Sequence, residues 1–422
     1  MKKQQISVIG LGYVGLPVSI AFDEAGYNVV GFDINKERIE QLKNNFDRTN
    51  EVNKTRLSKC KIYFTSEEGK LTNSNFHIVT VPTPINEFKK PDFRYIISAS
   101  ELLAGLIKKN DIVVFESTVY PGATEEIAIP ILEKISGMKL DRDFSVGYSP
   151  ERINPADPNH RFENIKKVVS ASNLDALKII ENVYGSVVKA GIYVASSIKV
   201  AEAAKVIENT QRDLNIALMN ELVKIFDAID ISTNEVLEAA STKWNFLNFH
   251  PGLVGGHCIG VDPYYLIHKS QQLGVIPDLL ISARKINDSM SNYFSMKIFN
   301  VLNEKKIEIN KSKILVLGIT FKENCPDTRN SKVIDLVKEL RSFRSSVDIY
   351  DPMVDVDDIK KEYGIDIINS PPKSYYDIIV ITVGHQIFTN MGAKKIKKWC
   401  KKNGIIMDLK NTIPKDEVDF KL

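Results

Sequence analysis

Short apolar runs alternate with longer amphipathic stretches from the start of the chain. Ile6-Ser7-Val8-Ile9 predicts a buried strand, followed by a glycine-rich turn and an apolar helix to about Gly26. Asn28-Val29-Val30-Gly31-Phe32-Asp33 predicts the next strand, and a helix, a strand and a helix follow. His77-Ile78-Val79-Thr80-Val81, Asp111-Ile112-Val113-Val114-Phe115 and Phe144-Ser145-Val146-Gly147 read as further strands. Strands separated by helical stretches predict a parallel, doubly wound sheet, here running to about residue 190. The pattern then changes. Residues 197–229 keep a helical apolar period without Gly or Pro, and residues 278–305 form a second helical stretch. A helix of about 30 residues is ~45 Å long, more than one domain needs, so it is expected to bridge two domains and to carry a dimer interface. At Lys313-Ile314-Leu315-Val316-Leu317-Gly318 the α/β rhythm restarts, with further strands at Val347-Asp348-Ile349-Tyr350-Asp351, Asp377-Ile378-Ile379-Val380-Ile381 and Ile405-Ile406-Met407-Asp408.

The expected fold is therefore α/β: two Rossmann-like doubly wound domains joined by a helical domain with a long central helix. The expected division is residues 1–195, 196–309 and 310–422. The length of 422 residues suits such a chain, and 43% hydrophobic with 26% charged residues is ordinary globular composition. Fifty-six Lys and Arg against 53 Asp and Glu leave no basic field for nucleic acid or an anionic membrane. No apolar run reaches the length of a membrane span, and the start of the chain lacks the pattern of a secretory leader. Cys60, Cys258, Cys325 and Cys400 lie far apart with no zinc or disulfide spacing, which fits a reducing cytoplasm.

Gly10-Leu11-Gly12-Tyr13-Val14-Gly15 fits the G-x-G-x-x-G pattern, directly after a strand and before a helix. Glycines there allow a tight turn and close approach of a pyrophosphate to the backbone, and the helix N-terminus offers free N–H groups. Asp33 ends the second strand, where a carboxylate accepts from ribose hydroxyls and repels a 2′-phosphate, so NAD is favoured over NADP; FAD is an alternative without further support. The loops Val81-Pro82-Thr83-Pro84 and Glu116-Ser117-Thr118-Val119 also follow strands, where doubly wound sheets bind ligands.

Cys258 stands among glycines in Pro251-Gly252-Leu253-Val254-Gly255-Gly256-His257-Cys258-Ile259-Gly260-Val261-Asp262-Pro263, not among core hydrophobes. A thiolate with a lowered pKa is a strong nucleophile, and His257 and Asp262 are placed to tune it; the alternative is a buried structural thiol. His250 and His257 match no standard zinc spacing, so no metal is expected. Glu202, Lys205 and Asn209 share one face of the long helix beside Ala201, Ala203 and Ala204. A partly desolvated lysine there could serve a substrate oxygen, but the spacing alone favours a solvated Lys–Glu pair.

These residues carry a resemblance. The chain is similar to the UDP-glucose/GDP-mannose dehydrogenase family over nearly its full length. Four motifs in order support this: the first glycine turn with Leu16-Pro17, residues 201–210 (Ala-Glu-Ala-Ala-Lys-Val-Ile-Glu-Asn-Thr), Gly255-Gly256-His257-Cys258, and residues 318–324 (Gly-Ile-Thr-Phe-Lys-Glu-Asn). It looks most like the branch acting on UDP-N-acetylhexosamines, through Tyr148-Ser149-Pro150-Glu151-Arg152-Ile153, Asn209-Thr210-Gln211-Arg212-Asp213 and the residues after Cys258, and within it like enzymes of Vi-antigen-type capsule or O-antigen pathways. The UDP-glucose branch has Phe-Pro-Lys-Asp after the cysteine, where this chain has Ile259-Gly260-Val261-Asp262.

The resemblance implies an NAD-dependent four-electron oxidation of the sugar C6 hydroxymethyl group to a carboxylate, on UDP-GlcNAc or UDP-GalNAc, with UDP-ManNAc or UDP-glucose as alternatives. It implies a thiohemiacetal and then a thioester on Cys258. Lys205 would stabilise the oxyanion or move a proton with Asn209 beside it, Asp262 and Thr118 would hold the hydrolytic water, and Glu151 would be a general base. For the cofactor it implies Gly10, Gly12, Tyr13, Val14, Gly15, Asp33, Arg38, Pro82, Thr83, Ser117, Thr118 and Arg329. For the sugar nucleotide it implies Glu151, Arg152, Ile153, Asn154, Lys205, Asn209, Arg212, Leu247, Asn248, Phe249, His250, Gly255, His257, Phe321 and Lys322, and for the assembly a homodimer. A two-electron 3-hydroxyacid dehydrogenase would not need the last ~110 residues or the cysteine loop. A catalytically dead sugar-nucleotide sensor should lack Cys258, Lys205 or Asp262, and all three are present.

Overall fold

A computed structural model describes residues 4–153 and 161–421. The chain divides into two compact units, Met1–Glu208 with Tyr264–Val275, and Asn209–Pro263 with Ile276–Leu422.

The first unit is built on an eight-stranded sheet: β1 (Gln5–Ile9), β2 (Asn28–Phe32), β3 (Tyr63–Thr65), β4 (Phe76–Val79), β5 (Ile112–Phe115), β6 (Ser145–Tyr148), β7 (Lys167–Ala171) and β8 (Ile192–Val194). The order is β3-β2-β1-β4-β5-β6-β7-β8. Every residue of β4 and β5 is buried, as expected for central strands covered on both faces. The chain reverses direction across the sheet between β1 and β4, which places the topological switch point at the carboxyl ends of these two strands. The expectation of an all-parallel sheet fails at one place, because β7 runs antiparallel to β6. Neither β7 nor the short edge strand β8 stood out in the pattern, since β7 opens on a lysine and two of the three β8 residues are exposed.

The second unit holds a five-stranded sheet with every pair parallel: β9 (Lys313–Leu317), β10 (Ser346–Tyr350), β11 (Tyr376–Ile381), β12 (Cys400–Asp408) and β13 (Phe420–Lys421), in the order β10-β9-β11-β12-β13. Its switch point lies between β9 and β11. Ile314, Val316, Ile378, Val380 and Met407 form its core together with Phe294, Ile298 and Leu302.

The long helix is one element of 31 residues, Ile198–Ala228. The second helical stretch is two helices, Asp278–Asp288 and Met290–Glu304, meeting at Ser289. The Ser289 hydroxyl donates to Ile286 O (2.7 Å) and accepts from Lys224 Nζ (2.9 Å), a local alternative to the helical ladder that apolar periodicity does not reveal. Among the described residues no helix is long and apolar enough to cross a membrane, and no group of three metal-ligating side chains occurs.

Candidate functional site

In the first unit the glycine turn leaves β1 at the switch point. Gly10 has φ +92° and its N–H donates to Phe32 O (2.8 Å). A Cβ on Gly15 would lie 1.8 Å from Gly10 O, so this position can only be glycine if the helix Gly15–Glu24 is to start there. Among the described residues a Cβ on Gly12 would meet nothing within 4 Å. Among the described residues nothing requires a glycine at position 12, whereas a phosphate approaching the backbone does, and the turn fits a dinucleotide in this respect. Tyr13 and Val14 are half-buried behind it.

Asp33 stands across the turn. Its Oδ2 accepts from Leu11 N (2.8 Å) and its Oδ1 from Asn35 N (2.9 Å), and it remains half-exposed. Arg38 is 2% exposed beneath the turn, with Nε on Leu11 O (2.9 Å) and Nη2 on Asp47 (2.8 Å), while its Nη1 is buried without a partner. Burial pushes the Asp47 carboxyl up, but Thr49, the Val52 amide and Arg38 outweigh it and hold it below the usual carboxylate range. Thr80 follows β4 and donates to Ile9 O (3.0 Å) and Gly10 O (2.7 Å), and Ser117 follows β5 and donates to Val81 O (2.6 Å). The carboxyl ends of β1, β4 and β5 are thereby linked, with Pro82 exposed and Thr83 and Thr118 half-buried on the adjoining loops.

Glu151 follows β6. Its Oε1 accepts from Arg152 N and Ile153 N (both 2.6 Å), and its Oε2 from Lys167 Nζ (2.8 Å). Lys167 also reaches Glu116 Oε2 (2.6 Å), and Tyr184 donates to Glu116 Oε1 (2.5 Å). Two carboxylates thus share one buried ammonium. Burial raises Glu116 to about 7, opposed by Lys167 and reinforced by Glu151. For Glu151 burial is outweighed by Lys167 and the two amides, and its carboxyl is held low. Arg152 pairs with Glu208 (2.7 Å), and Asn154 lies outside the described residues.

The solvated Lys–Glu pair that spacing left open on the long helix does not occur. Glu202 is fully buried and Lys205 is 8% exposed. Glu202 accepts from Gly122 N (2.5 Å) and Thr124 N (2.9 Å), and burial raises it to about 7 against these bonds.

In the second unit Asn209 donates to Asp262 Oδ2 (2.5 Å), and Asp262, 2% exposed, donates its N–H to Cys258 O (2.8 Å). Asn220 clamps the start of the cysteine loop, accepting from Gly252 N (2.8 Å) and donating to Gly252 O (3.0 Å) and Asn287 (2.8 Å). Arg284 and Asn287 both bond the buried Asp213 (2.5 and 2.7 Å), which continues the clamp. The glycines beside Cys258 make room for the protein itself: a Cβ on Gly255 would lie 2.7 Å from Asn330 O, and one on Gly256 2.7 Å from the Phe321 ring. His257 packs edge-on against Phe321 (5.9 Å between centroids) and is 3.3 Å from Arg329 Nη2. Arg329 forks onto Asp327 (3.0 and 2.6 Å), which overcomes burial and holds that carboxyl low. Lys322 and Phe321 are half-buried on the loop after β9. Arg212, Leu247, Asn248 and His250 are exposed and Phe249 half-buried.

Sequence reasoning assigned no role to Glu116, Lys167, Asp213, Asn220, Arg284, Asp351, His385 or Lys410. Lys410 Nζ would lie 3.4 Å from a Cβ on Gly252. For His385 and Lys410 a signal existed, because each sits just beyond the carboxyl end of a strand, β11 or β12, at or next to the switch point.

Models of the NAD-binding, central and UDP-binding domains of one family match residues 4–188, 199–289 and 315–415. The chain is 52% identical to a UDP-N-acetyl-D-glucosamine 6-dehydrogenase of Salmonella typhi, covering 99% of this chain and 98% of that one. It is 49% identical to the Pseudomonas aeruginosa enzyme of the same name, over the full length of both. The solved UDP-D-ManNAc dehydrogenase of Pyrococcus horikoshii matches with a TM-score of 0.90 at 31% identity, over 99% of this chain and 98% of that one. With a dinucleotide turn at one switch point, a cysteine loop packed on a second Rossmann-like sheet, and all three domain models matched in order, the chain belongs to the UDP-glucose/GDP-mannose dehydrogenase family.

Proposed function

We propose that this chain is an NAD-dependent UDP-N-acetyl-D-glucosamine 6-dehydrogenase that makes the corresponding uronic acid for a capsule or O-antigen polysaccharide in the cytoplasm. The observation that carries the substrate is the near-full-length identity of about one half to two relatives of that name. In this reading residues 1–195 take NAD, 196–309 carry the lysine and the cysteine loop and form a homodimer, and 310–422 take the UDP sugar.

NAD supplies a hydride acceptor, used twice. Gly10, Gly12, Tyr13, Val14 and Gly15 hold its diphosphate and Asp33 a ribose; Arg38, Pro82, Thr83, Ser117 and Thr118 line it, and Arg329 reaches the diphosphate. Lys205 and Asn209 stabilise the oxygen that loses its proton, and the desolvation of Lys205 strengthens that interaction. Cys258 attacks the aldehyde and retains it through the second oxidation as a thioester. Asp262 and Thr118 hold a water and Glu151 takes its proton; water oxygen bonds to the acyl carbon as the C–S bond breaks and Cys258 leaves as thiolate. Arg152, Ile153, Asn154, Arg212, Leu247, Asn248, Phe249, His250, Gly255, His257, Phe321 and Lys322 contact the sugar nucleotide.

A panel of UDP-GlcNAc, UDP-GalNAc, UDP-ManNAc and UDP-glucose followed by NADH absorbance tests this. UDP-GlcNAc is expected to be the best substrate and to yield two NADH per sugar. A yield of one would remove the four-electron mechanism. Cys258→Ala should abolish acid formation and still bind NAD; full turnover in that variant would take the cysteine out of the reaction.

A further inference from the structure

We infer that His385 is a positioning residue for the nucleotide-sugar end of this reaction: its ring, wedged between Asp351, Thr320 and Asn324, holds the loop after β9 in the shape that lays Phe321 on Gly256 and His257, beside Cys258 in the chain. The inference rests on the reading that residues 310–422 take the UDP sugar.

His385 is fully buried just beyond the carboxyl end of β11, next to the switch point of the second sheet. Each of its ring nitrogens is committed. Asn324 N–H can only donate, so Nδ1 accepts from it (2.9 Å) and carries no proton. The proton is on Nε2, which faces Asp351 Oδ2 and Thr320 Oγ1 at 3.2 Å each. The Thr320 hydroxyl spends its own proton on Lys322 O (2.8 Å), so its oxygen is free to accept from Nε2. The ring is therefore neutral and satisfied on every side, and it joins both ends of the segment 320–324. Asn324, held in a left-handed conformation (φ 55°), is fixed a second time by Gln386 N donating to its side chain (2.9 Å).

That segment carries the two residues that matter for the site. Lys322 is held by its carbonyl through Thr320, and Phe321 by its N–H on Asp327 O (3.1 Å). The Phe321 ring fills the space where Gly256 would carry a Cβ, and it meets the His257 ring edge-on. An apolar side chain could fill the volume of His385, but it could not tie Asn324 to Asp351. The bonds, and not the volume, specify the loop.

The two ring nitrogens can be tested separately. Asparagine can place an amide oxygen near the Nδ1 position and keep the bond from Asn324. Glutamine can place an amide nitrogen near the Nε2 position and keep the bond to Asp351. UDP-GlcNAc and NAD would each be titrated calorimetrically into the full-length protein and into His385→Ala, His385→Asn and His385→Gln, and the alkylation rate of Cys258 by iodoacetamide would be read in each. His385→Ala is expected to weaken UDP-GlcNAc about tenfold, to leave NAD within about twofold and to speed alkylation of Cys258, with His385→Asn recovering most of the loss and His385→Gln little. Unchanged UDP-GlcNAc affinity in all variants, or equal losses for both ligands, would overturn the inference. Should His385→Ala fail to fold, the Asn and Gln pair carries the same comparison. Failure of the unsubstituted protein to bind UDP-GlcNAc would instead overturn the functional reading, and this inference with it.

Discussion

The two Rossmann-like sheets begin with the same turn and put it to different uses. Gly10 and Gly318 both have φ +92° and donate to the end of the neighbouring strand, Phe32 O and Tyr350 O. Leu11 N and Ile319 N both donate to an aspartate there, Asp33 and Asp351 (2.8 and 2.7 Å). Thr80 and Thr382 both bridge the two carbonyls at the strand end. After this the turns diverge. In the first, the helix starts at Gly15, its N-terminus against the turn, Gly12 is open, and Asp33 is half-exposed. In the second, the next helix starts only at Lys332, no second glycine follows, and Asp351 is 3% exposed beneath His385. A shared backbone device thus leaves an acid available to a ribose in one sheet and consumes it in holding a loop in the other. The scaffold does not select the ligand; the few residues after the first glycine do.

The largest effects should come from the glycines around which each turn is built. Gly15→Val would place a Cβ 1.8 Å from Gly10 O, and Gly318→Val would place one 2.5 Å from Val383 Cβ at a φ that valine avoids. Each variant should lose more than ~4 kcal/mol, in the range of the most severe single substitutions. Chemical unfolding would show this; a wild-type midpoint in either variant would mean that the turns are not built as described.

The two aspartates should then part company. Asp33→Asn is expected to weaken NAD about 10- to 100-fold, the worth of a charge-assisted bond, and to narrow the preference against NADP, with little change in stability. Asp351→Asn is expected to leave NAD affinity alone and to lower stability by about 1–3 kcal/mol, because an amide has one accepting oxygen and cannot serve both the donors on Oδ2 (Ile319, Thr320 and His385) and Met353 N on Oδ1. Equal effects of the two on NAD binding would erase the distinction.

What the sequence made legible, and what it did not, follows from the range of the forces involved. The glycine turn is a local stereochemical object, so Gly10, Gly15 and Asp33 could be read from their spacing. The long helix was legible because 31 residues keep one period without a breaker. Lys167 was not, because a lysine opening a buried strand is tolerable only with Glu116 and Glu151 on other parts of the sheet. His385 was missed for the same reason: its three partners lie on two distant segments of the chain. Nor does the spacing of Gly255 and Gly256 show that the protein itself occupies the space beside them, which Asn330 O and the Phe321 ring fill from distant segments.

The buried carboxylates of the first unit give the protein a pH dependence. Burial holds Glu116 and Glu202 at about 7 in the folded state, above the ordinary 4.5. A raised carboxyl pKa means that the folded state binds the proton more tightly, so stability falls as pH rises from about 4.5 to about 7. Glu151, held low, works in the opposite direction only below about 4.5. Urea unfolding at pH 5, 6, 7 and 8 should show the decline. Glu116→Gln should flatten part of it, with Glu202 contributing to what remains. An unchanged slope in Glu116→Gln would show that Glu116 is ionised throughout that range.

The smallest effect on the fold, and the sharpest on the comparison, is expected at Gly12. Among the described residues no atom lies within 4 Å of an added Cβ, and its φ is not one that L residues avoid. Gly12→Ala should therefore cost the folded protein nothing in contacts, and it restricts the unfolded chain, so stability should rise by about 0.4–1 kcal/mol. The methyl group would stand where a pyrophosphate must come within van der Waals range of the backbone, and NAD affinity should fall. Stability and cofactor affinity then move in opposite directions in a single variant, which no packing defect can produce. If NAD binds Gly12→Ala as well as it binds the unsubstituted protein, the open space over Gly12 is not the diphosphate site, and the first turn loses the feature that most separates it from the second.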